Sequence, residues 1–274
     1  MTVLTDRDIA AIIREREALD LCCSGSESNV LDRTSPLDRT SPLDRTSPLD
    51  RTSPLGWIPL IIVGNGGHGR VIADLVEAAR KYRVIAMADD LCTDIACKDG
   101  IFHIHPDKVR ELVESDRNTK VMIAIGSNEA RSAMVQRLGL ALESYATLVH
   151  PAATISGHAY IGPGSVVMAG AIVNHSACIG AHAIVNSGAV VEHDTEVGWF
   201  AHLSPNSTVA GNASIGDGAH IGIGASVIPS IRIGAWCIVG AGAAVVRDLP
   251  EGATAVGVPA KVIKHRDCRY EIRT

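Results

Sequence analysis

Ala213-Ser-Ile215-Gly-Asp-Gly-Ala219-His-Ile221-Gly-Ile-Gly-Ala225-Ser-Val227 places an aliphatic residue at every sixth position and an alanine two places before each. Followed outward in both directions, the aliphatic series is Ile155, Ile161, Val167, Val173, Ile179, Val185, Val191, Val197, Leu203, Val209, Ile215, Ile221, Val227, Ile233, Val239 and Val245. All sixteen positions are in register. The residue two before each is Ala, Ser, Thr or Cys except at Ile231, and glycine follows the aliphatic at 162, 180, 198, 216, 222, 234 and 240. A period of six describes one flat face and one corner, and three faces close a triangular coil of about 18 residues, so this stretch makes about five coils. The aliphatics fill the interior, the small residues fit beside the turn, and the glycines are expected to supply unusual backbone angles there. Stacked coils pair their backbones at about 4.8 Å, as in any sheet. The unbroken rhythm predicts no long loop between coils.

Composition agrees. Of 274 residues, 46% are hydrophobic but only 3% aromatic, and 26 are glycine, as suits a repetitive core of Val, Ile, Leu and Ala rather than one packed around rings. The net charge is −5 with no long basic run, which argues against nucleic acid as a partner. Seven cysteines at 22, 23, 92, 97, 178, 237 and 268 include no C-x-x-C pair. That count and spacing favour neither a zinc site nor a disulfide framework, so no metal ligand is assigned and the chain reads as cytoplasmic. The N-terminal stretch shows no apolar signal core, and no run of 18 apolar residues exists to span a membrane.

Outside the hexads the chain divides further. Residues 1–21 contain a predicted helix over 5–21, with Thr5 as cap and Ile9, Ile12, Ile13 and Leu19 near one stripe. Residues 22–56 form a linker in which Leu-Asp-Arg-Thr-Ser-Pro occurs four times without change, from Leu31 to Pro54. One leucine per repeat cannot offset the entropy of ordering, which predicts an extended tether. Residues 57–150 alternate strand and helix: strands at 59–63, 83–89 and 120–125, helices at 69–81, 109–115 and 129–138. This is the pattern of a Rossmann-like α/β unit with a parallel sheet. Residues 151–264 carry the coils, and 265–274 form a tail.

Chemistry must come from departures from a bland hexad. Histidines cluster in the coils, at 175, 182, 193, 202 and 220. The unusual stretch is Asn186-Ser-Gly-Ala-Val-Val-Glu192-His193-Asp194. A histidine flanked by carboxylates is a candidate general base, because a carboxylate on one ring nitrogen fixes the tautomer and stabilises the imidazolium. Either Asp194 or Glu192 is placed to orient it, and the same three residues also read as a solvated polar corner. His202 follows half a coil later, so it and His193 meet only if chains pack side by side. In the α/β unit, Gly64-Asn65-Gly66-Gly67-His68-Gly69 joins a strand to a helix and fits G-x-G-x-x-G, with Asp89 at the next strand end. Such a backbone, free of side chains, admits a phosphate at a helix N-terminus. Ala124-Ile-Gly126-Ser-Asn128 ends a second strand on the same sheet edge.

At these residues the sequence resembles the family of sialic acid O-acetyltransferases and nucleotide-aminosugar N-acetyltransferases, which includes the bacillosamine-pathway and perosamine enzymes. The resemblance covers about residues 58–264. It rests on Gly64–Gly69, Asp89-Asp90, Ala124–Asn128 with Arg131, Val191–Asp194, His202, Ala210-Gly211-Asn212 and Gly257-Val-Pro-Ala-Lys261. It implies a left-handed parallel β-helix, a homotrimer with sites between neighbouring prisms, and acetyl-coenzyme A as acetyl donor. His193 would be the general base, with Asp194 and Glu192 beside it and Asn186 nearby. His202 of an adjoining chain would contact the coenzyme, and Ile223, Gly240, Ala241 and Gly242 would line its arm. Gly66, Gly67, His68, Asp89, Asp90 and Gly126 would hold a UDP- or GDP-linked amino sugar bound for a surface glycan.

Three alternatives share parts of this pattern. O-acetylation of a sialic-acid-type sugar would use the same fold and base on a hydroxyl. A hydratase of the γ-carbonic anhydrase kind would need three histidines converging on a metal across two chains. A non-catalytic binding protein would keep the prism alone, a reading that the intact Glu192-His193-Asp194 cluster disfavours.

Overall fold

The computed structural model describes residues 56–265. The expected N-terminal helix, the repeat linker except Gly56, and the tail after His265 lie outside them. The contacts, exposures and absences given are those among the described residues.

The α/β unit runs β1 (Ile58–Val63), α1 (Gly67–Ala79), β2 (Tyr82–Ala88), β3 (Ala96–Lys98), β4 (Ile101–Ile104), α2 (Val109–Ser115), β5 (Lys120–Ile123) and α3 (Asn128–Leu138). The sheet order is β3-β4-β2-β1-β5, parallel except where β3 runs antiparallel to β4 at the edge. Pro59–Val63 is buried throughout, because central β1 is covered on both faces. One cover is formed by Val109, Leu112 and Met134 over Ile61 and Val63. On the other face Ile72, Leu75 and Val76 of α1 pack on Leu60 and Ile62.

That second layer also contains Leu148, Val166 and Ile184, which begin successive strands on one face of the prism. Outward positions on a prism are usually polar. Here they are apolar because α1 covers them, and this shared core seats the α/β unit on the prism.

The prism is a left-handed parallel β-helix. Two-residue strands recur every six residues from Leu148–Val149 to Ala244–Val245, and each pairs with the strand 18 residues away, as Ile184 does with Val166 and His202. Face one carries 148–149, 166–167, 184–185, 202–203, 220–221 and 238–239. Face two carries 154–155 and its repeats, and face three 160–161 and its repeats. No loop interrupts the rhythm. The aliphatic series forms the interior, fully buried from Val167 onward and partly so at Ile155 and Ile161 in the first coil. A hairpin of Ala253–Val256 with Lys261–His265 extends face one at its C-terminal end.

The expected role of the corner glycines needs correcting. The glycines after the aliphatics do not have positive φ. Their constraint is close approach: a Cβ at Gly216 would stand 2.5 Å from the Ala235 nitrogen of the next coil. The left-handed residue comes two places later, and His182, Asp194, Phe200, Asn206, Asn212 and Trp236 hold it with φ of 55–58°.

Candidate active site

The corner between faces two and three carries His193. Its Nδ1 lies 2.8 Å from Asp194 Oδ2, and both side chains are well exposed. Asp194 reaches back to its neighbour because it occupies the left-handed corner position, with φ 58°. The ring lies over Gly211 of the following coil, where a Cβ would stand 2.7 Å from Cε1 and Nε2. A carboxylate at Nδ1 selects, for the neutral ring, the tautomer with the proton on Nδ1, which leaves the Nε2 lone pair facing outward from that pair. Glu192 does something else: its Oε2 accepts a hydrogen bond of 2.9 Å from Asn174 Nδ2, one coil earlier. Of the two carboxylates flanking His193, the structure brings Asp194 to the ring and turns Glu192 to its coil neighbour.

Asn186 belongs to a different edge, the corner after face one. Its Nδ2 is 3.0 Å from His202 Nε2 rather than near His193. His202 stacks on His220, with centroids 4.9 Å apart and planes 4° apart, and His220 Nε2 is 2.7 Å from Ser204 Oγ. Burial, then the charges of His220, Arg131 and His68, hold His202 down at about 3, with the Gly126 backbone opposing weakly. His202 is therefore neutral at physiological pH. Its Nδ1 is buried and makes no well-formed hydrogen bond, although Gly126 lies near enough to act on it. Farther along the same edge, two stacked turns hold Ile223 with Gly224 and Ala241 with Gly242, tied by Gly242 N–H to the Ile223 carbonyl at 2.8 Å. Ile223 is 59% exposed, and nothing lies within 4 Å of the Cβ positions of Gly224 and Gly242. Gly240 is tighter, facing Val256.

Gly66, Gly67, His68, Asp89, Asp90 and Gly126 all line one cleft of about 350 Å³ at the C-terminal ends of β1, β2 and β5. Gly69 permits the tight entry to α1, since a Cβ there would meet the Gly64 carbonyl oxygen. Gly66 and Gly67 face open space. Asp89 is partly committed, accepting from the backbone N–H of Asn65 at 2.9 Å and of Leu91 at 3.1 Å. Asp90 pairs with Arg137 at 2.6 Å. His68 is held below its usual pKa by burial and then by Arg131, and its Nε2 is buried without a partner.

The sequence placed Arg131, Asn174 and Gly211 in no contact. The signal for the last two was the coil itself: Asn174 lies 18 residues before Glu192, and Gly211 lies 18 after His193.

The chain is similar in sequence and fold to proteins of known structure. The model of the PglD N-terminal domain matches residues 59–138. Perosamine N-acetyltransferase from Caulobacter crescentus, solved as a histidine-to-asparagine variant in complex with CoA and GDP-perosamine, is 36% identical with a TM-score of 0.69. The match covers 75% of this chain and 97% of that one. The chain belongs to the hexapeptide-repeat family of nucleotide-aminosugar N-acetyltransferases. A second family member, the acetyltransferase domain of PglB from Neisseria gonorrhoeae FA1090 in complex with acetyl coenzyme A, is 34% identical with a TM-score of 0.66, covering 76% of this chain and 100% of that one. A third, UDP-N-acetylbacillosamine N-acetyltransferase of Bacillus subtilis (strain 168), is 46% identical over 108 residues, 39% of this chain. That aligned stretch spans 50% of the curated relative.

Proposed function

We propose that this protein transfers the acetyl group of acetyl-coenzyme A to the amine of a nucleotide-linked amino sugar, acting as a cytoplasmic homotrimer in surface-glycan biosynthesis. The observation that carries this reading is the imidazole of His193, tethered through Nδ1 to Asp194 at 2.8 Å with Nε2 left free.

The residues fit both substrates. Exposed Ile223 and the open turns at Gly224 and Gly242 leave an apolar, unobstructed edge for the coenzyme's arm. The cleft floored by Gly66 and Gly67 has the glycine-lined approach to a helix N-terminus that phosphates favour. The homotrimer is supported by the division of the parts. In one chain His193 stands at the corner after face two, while His202 lies on face one and Asn186 and Ile223 at the corner that follows it. Packing prisms side by side joins the two edges.

Acetyl-coenzyme A supplies the acetyl group as a thioester. His193 Nε2 takes the proton that the sugar amine gives up as the amide forms, and returns it to the departing thiolate. Asp194 holds the ring in the tautomer that makes this work and stabilises the transient imidazolium. A positioned base of this kind contributes about 10²–10⁴-fold. His202, neutral and braced by Asn186, presents a hydrogen-bonding group rather than a charge on the coenzyme side.

The test is coenzyme A release against UDP- and GDP-linked 4-amino sugars, with sialic acid as the hydroxyl comparison. The reading predicts acceptor-dependent release and an N-acetylated product with one of the nucleotide sugars. Release with sialic acid alone would replace it with O-acetylation, and release with none would end it.

A further inference from the structure

Arg131 is 1% exposed, and burial pulls its pKa down to about 9, so it is a buried cation at neutral pH. All its bonded acceptors are carbonyl or amide oxygens. Nε donates to the His182 carbonyl at 2.8 Å. Nη1 donates to those of Ile125 at 2.8 Å and Gly126 at 3.3 Å. Nη2 donates to Asn128 Oδ1 at 2.8 Å and the Phe200 carbonyl at 2.7 Å. Asn128, one turn earlier on α3, donates its Nδ2 to the carbonyls of Gly218 at 3.0 Å and Ala219 at 3.2 Å.

Three of these acceptors, the carbonyls of His182, Phe200 and Gly218, have a reason to be free of the backbone ladder. His182, Phe200 and Gly218 are the left-handed corners of three successive coils. The coil-to-coil ladder runs through the carbonyls of the residues before them: Ala181 accepts from Phe200 N–H, Trp199 from Gly218, and Asp217 from Trp236. The corner carbonyls themselves accept no backbone hydrogen bond. On an open prism water would satisfy them. Under the α/β unit they need donors, and the Asn128–Arg131 pair supplies them to three coils at once.

Cohesion alone does not call for a buried charge. The apolar layer of Leu148, Val166 and Ile184 already joins the two units, and burying a cation is costly. What Arg131 adds is registration. At one end it grips Ile125 and Gly126, part of the cleft wall. At the other it grips Phe200, two residues ahead of His202. Gly126 acts on both Arg131 and His202.

The geometry points to Arg131 as a positioning residue that fixes the cleft loop 124–126 against the coil carrying His202, so that acceptor and acetyl donor are presented in one register. This rests on the function proposed above. Arg131 also disfavours a proton on His68, His182 and His202, after burial in each case.

The test uses the full chain carrying Arg131→Lys, which keeps the charge and loses the planar fork. Three quantities are read: kcat and KM for the nucleotide sugar, coenzyme A affinity by calorimetry, and amide exchange in 124–128 and 200–203. The expected result is a kcat about 10–100-fold lower, the range for a misplacement of about 1 Å. Coenzyme affinity should hold, and exchange should rise in both segments together. A folded variant that keeps either wild-type kcat or the protection of both segments overturns the assignment. If Arg131→Lys does not fold, Asn128→Ala is read in the same way. If the wild type acetylates no nucleotide sugar, the functional reading fails separately, and the exchange measurement alone decides: joint loss of protection supports the coupling and unchanged protection refutes it.

Discussion

Replacing Gly211 with alanine separates the proposed base from its scaffold. The added methyl would stand 2.7 Å from both Cε1 and Nε2 of His193. Ordinary carbon contacts begin near 3.5 Å, so the ring must withdraw by roughly 0.8 Å. It is the free end of a side chain that is 62% exposed, so it moves outward in preference to the coil. The backbone at 211 is not left-handed, and alanine adopts it without strain. A misplacement of about 1 Å costs up to about 10²-fold, so kcat should fall about 10–100-fold, or about 1.4–2.7 kcal/mol of barrier. The assay is thiol release at saturating substrates, with thermal melting in parallel to show an unchanged Tm. Wild-type turnover in a folded Gly211→Ala protein would refute the placement of the base over the next coil.

Two further outcomes follow from the same geometry. Burial, then Arg131, holds His182 at about 4, below its unfolded value of 6.5. The unfolded chain therefore takes up the extra proton first, so stability is full above about pH 6.5 and declines until pH passes about 4, by about 3 kcal/mol for this group. His182→Phe, a residue that Phe200 shows to fit the same left-handed corner, should flatten the dependence of Tm on pH between 4 and 6.5; an unchanged slope would count against it. Second, co-refolding His193→Ala with His202→Gln, each inactive alone, should restore about a quarter of wild-type turnover, because one interface in four of a randomly mixed ring joins two intact contributors. A mixture as inactive as its parents would contradict a shared site.

The prism was legible because its interior obeys a rigid period, and every aliphatic from Val167 to Val245 falls inside. The α/β strands were legible for a similar reason: β1 is a continuous apolar run buried on both faces. Strands β3 and β4 were not: Ala96–Lys98 is wholly exposed and is defined only by its backbone pairing with β4, and the four residues Ile101–Ile104 bury only Phe102 and Ile104, too short an alternation to stand out. Of the cleft residues, Gly66, Gly67, His68, Asp89 and Gly126 emerged from the glycine motif and strand ends, and Asp90 from the family resemblance. The partners of His193 emerged only in part. Sequence adjacency suggested two carboxylates equally, whereas stacking gives Glu192 to Asn174. The Arg131 contacts left no readable trace, because four of their five acceptors are backbone carbonyls, which any residue carries.

The most direct measurement compares acetyl transfer by wild-type and His193→Ala proteins of equal Tm, using the nucleotide-linked 4-amino sugar that the wild type prefers. A base on Nε2 predicts at least about a hundredfold loss of kcat. Turnover within about twofold of wild type, well short of the range for a general base, would show that another group takes the proton.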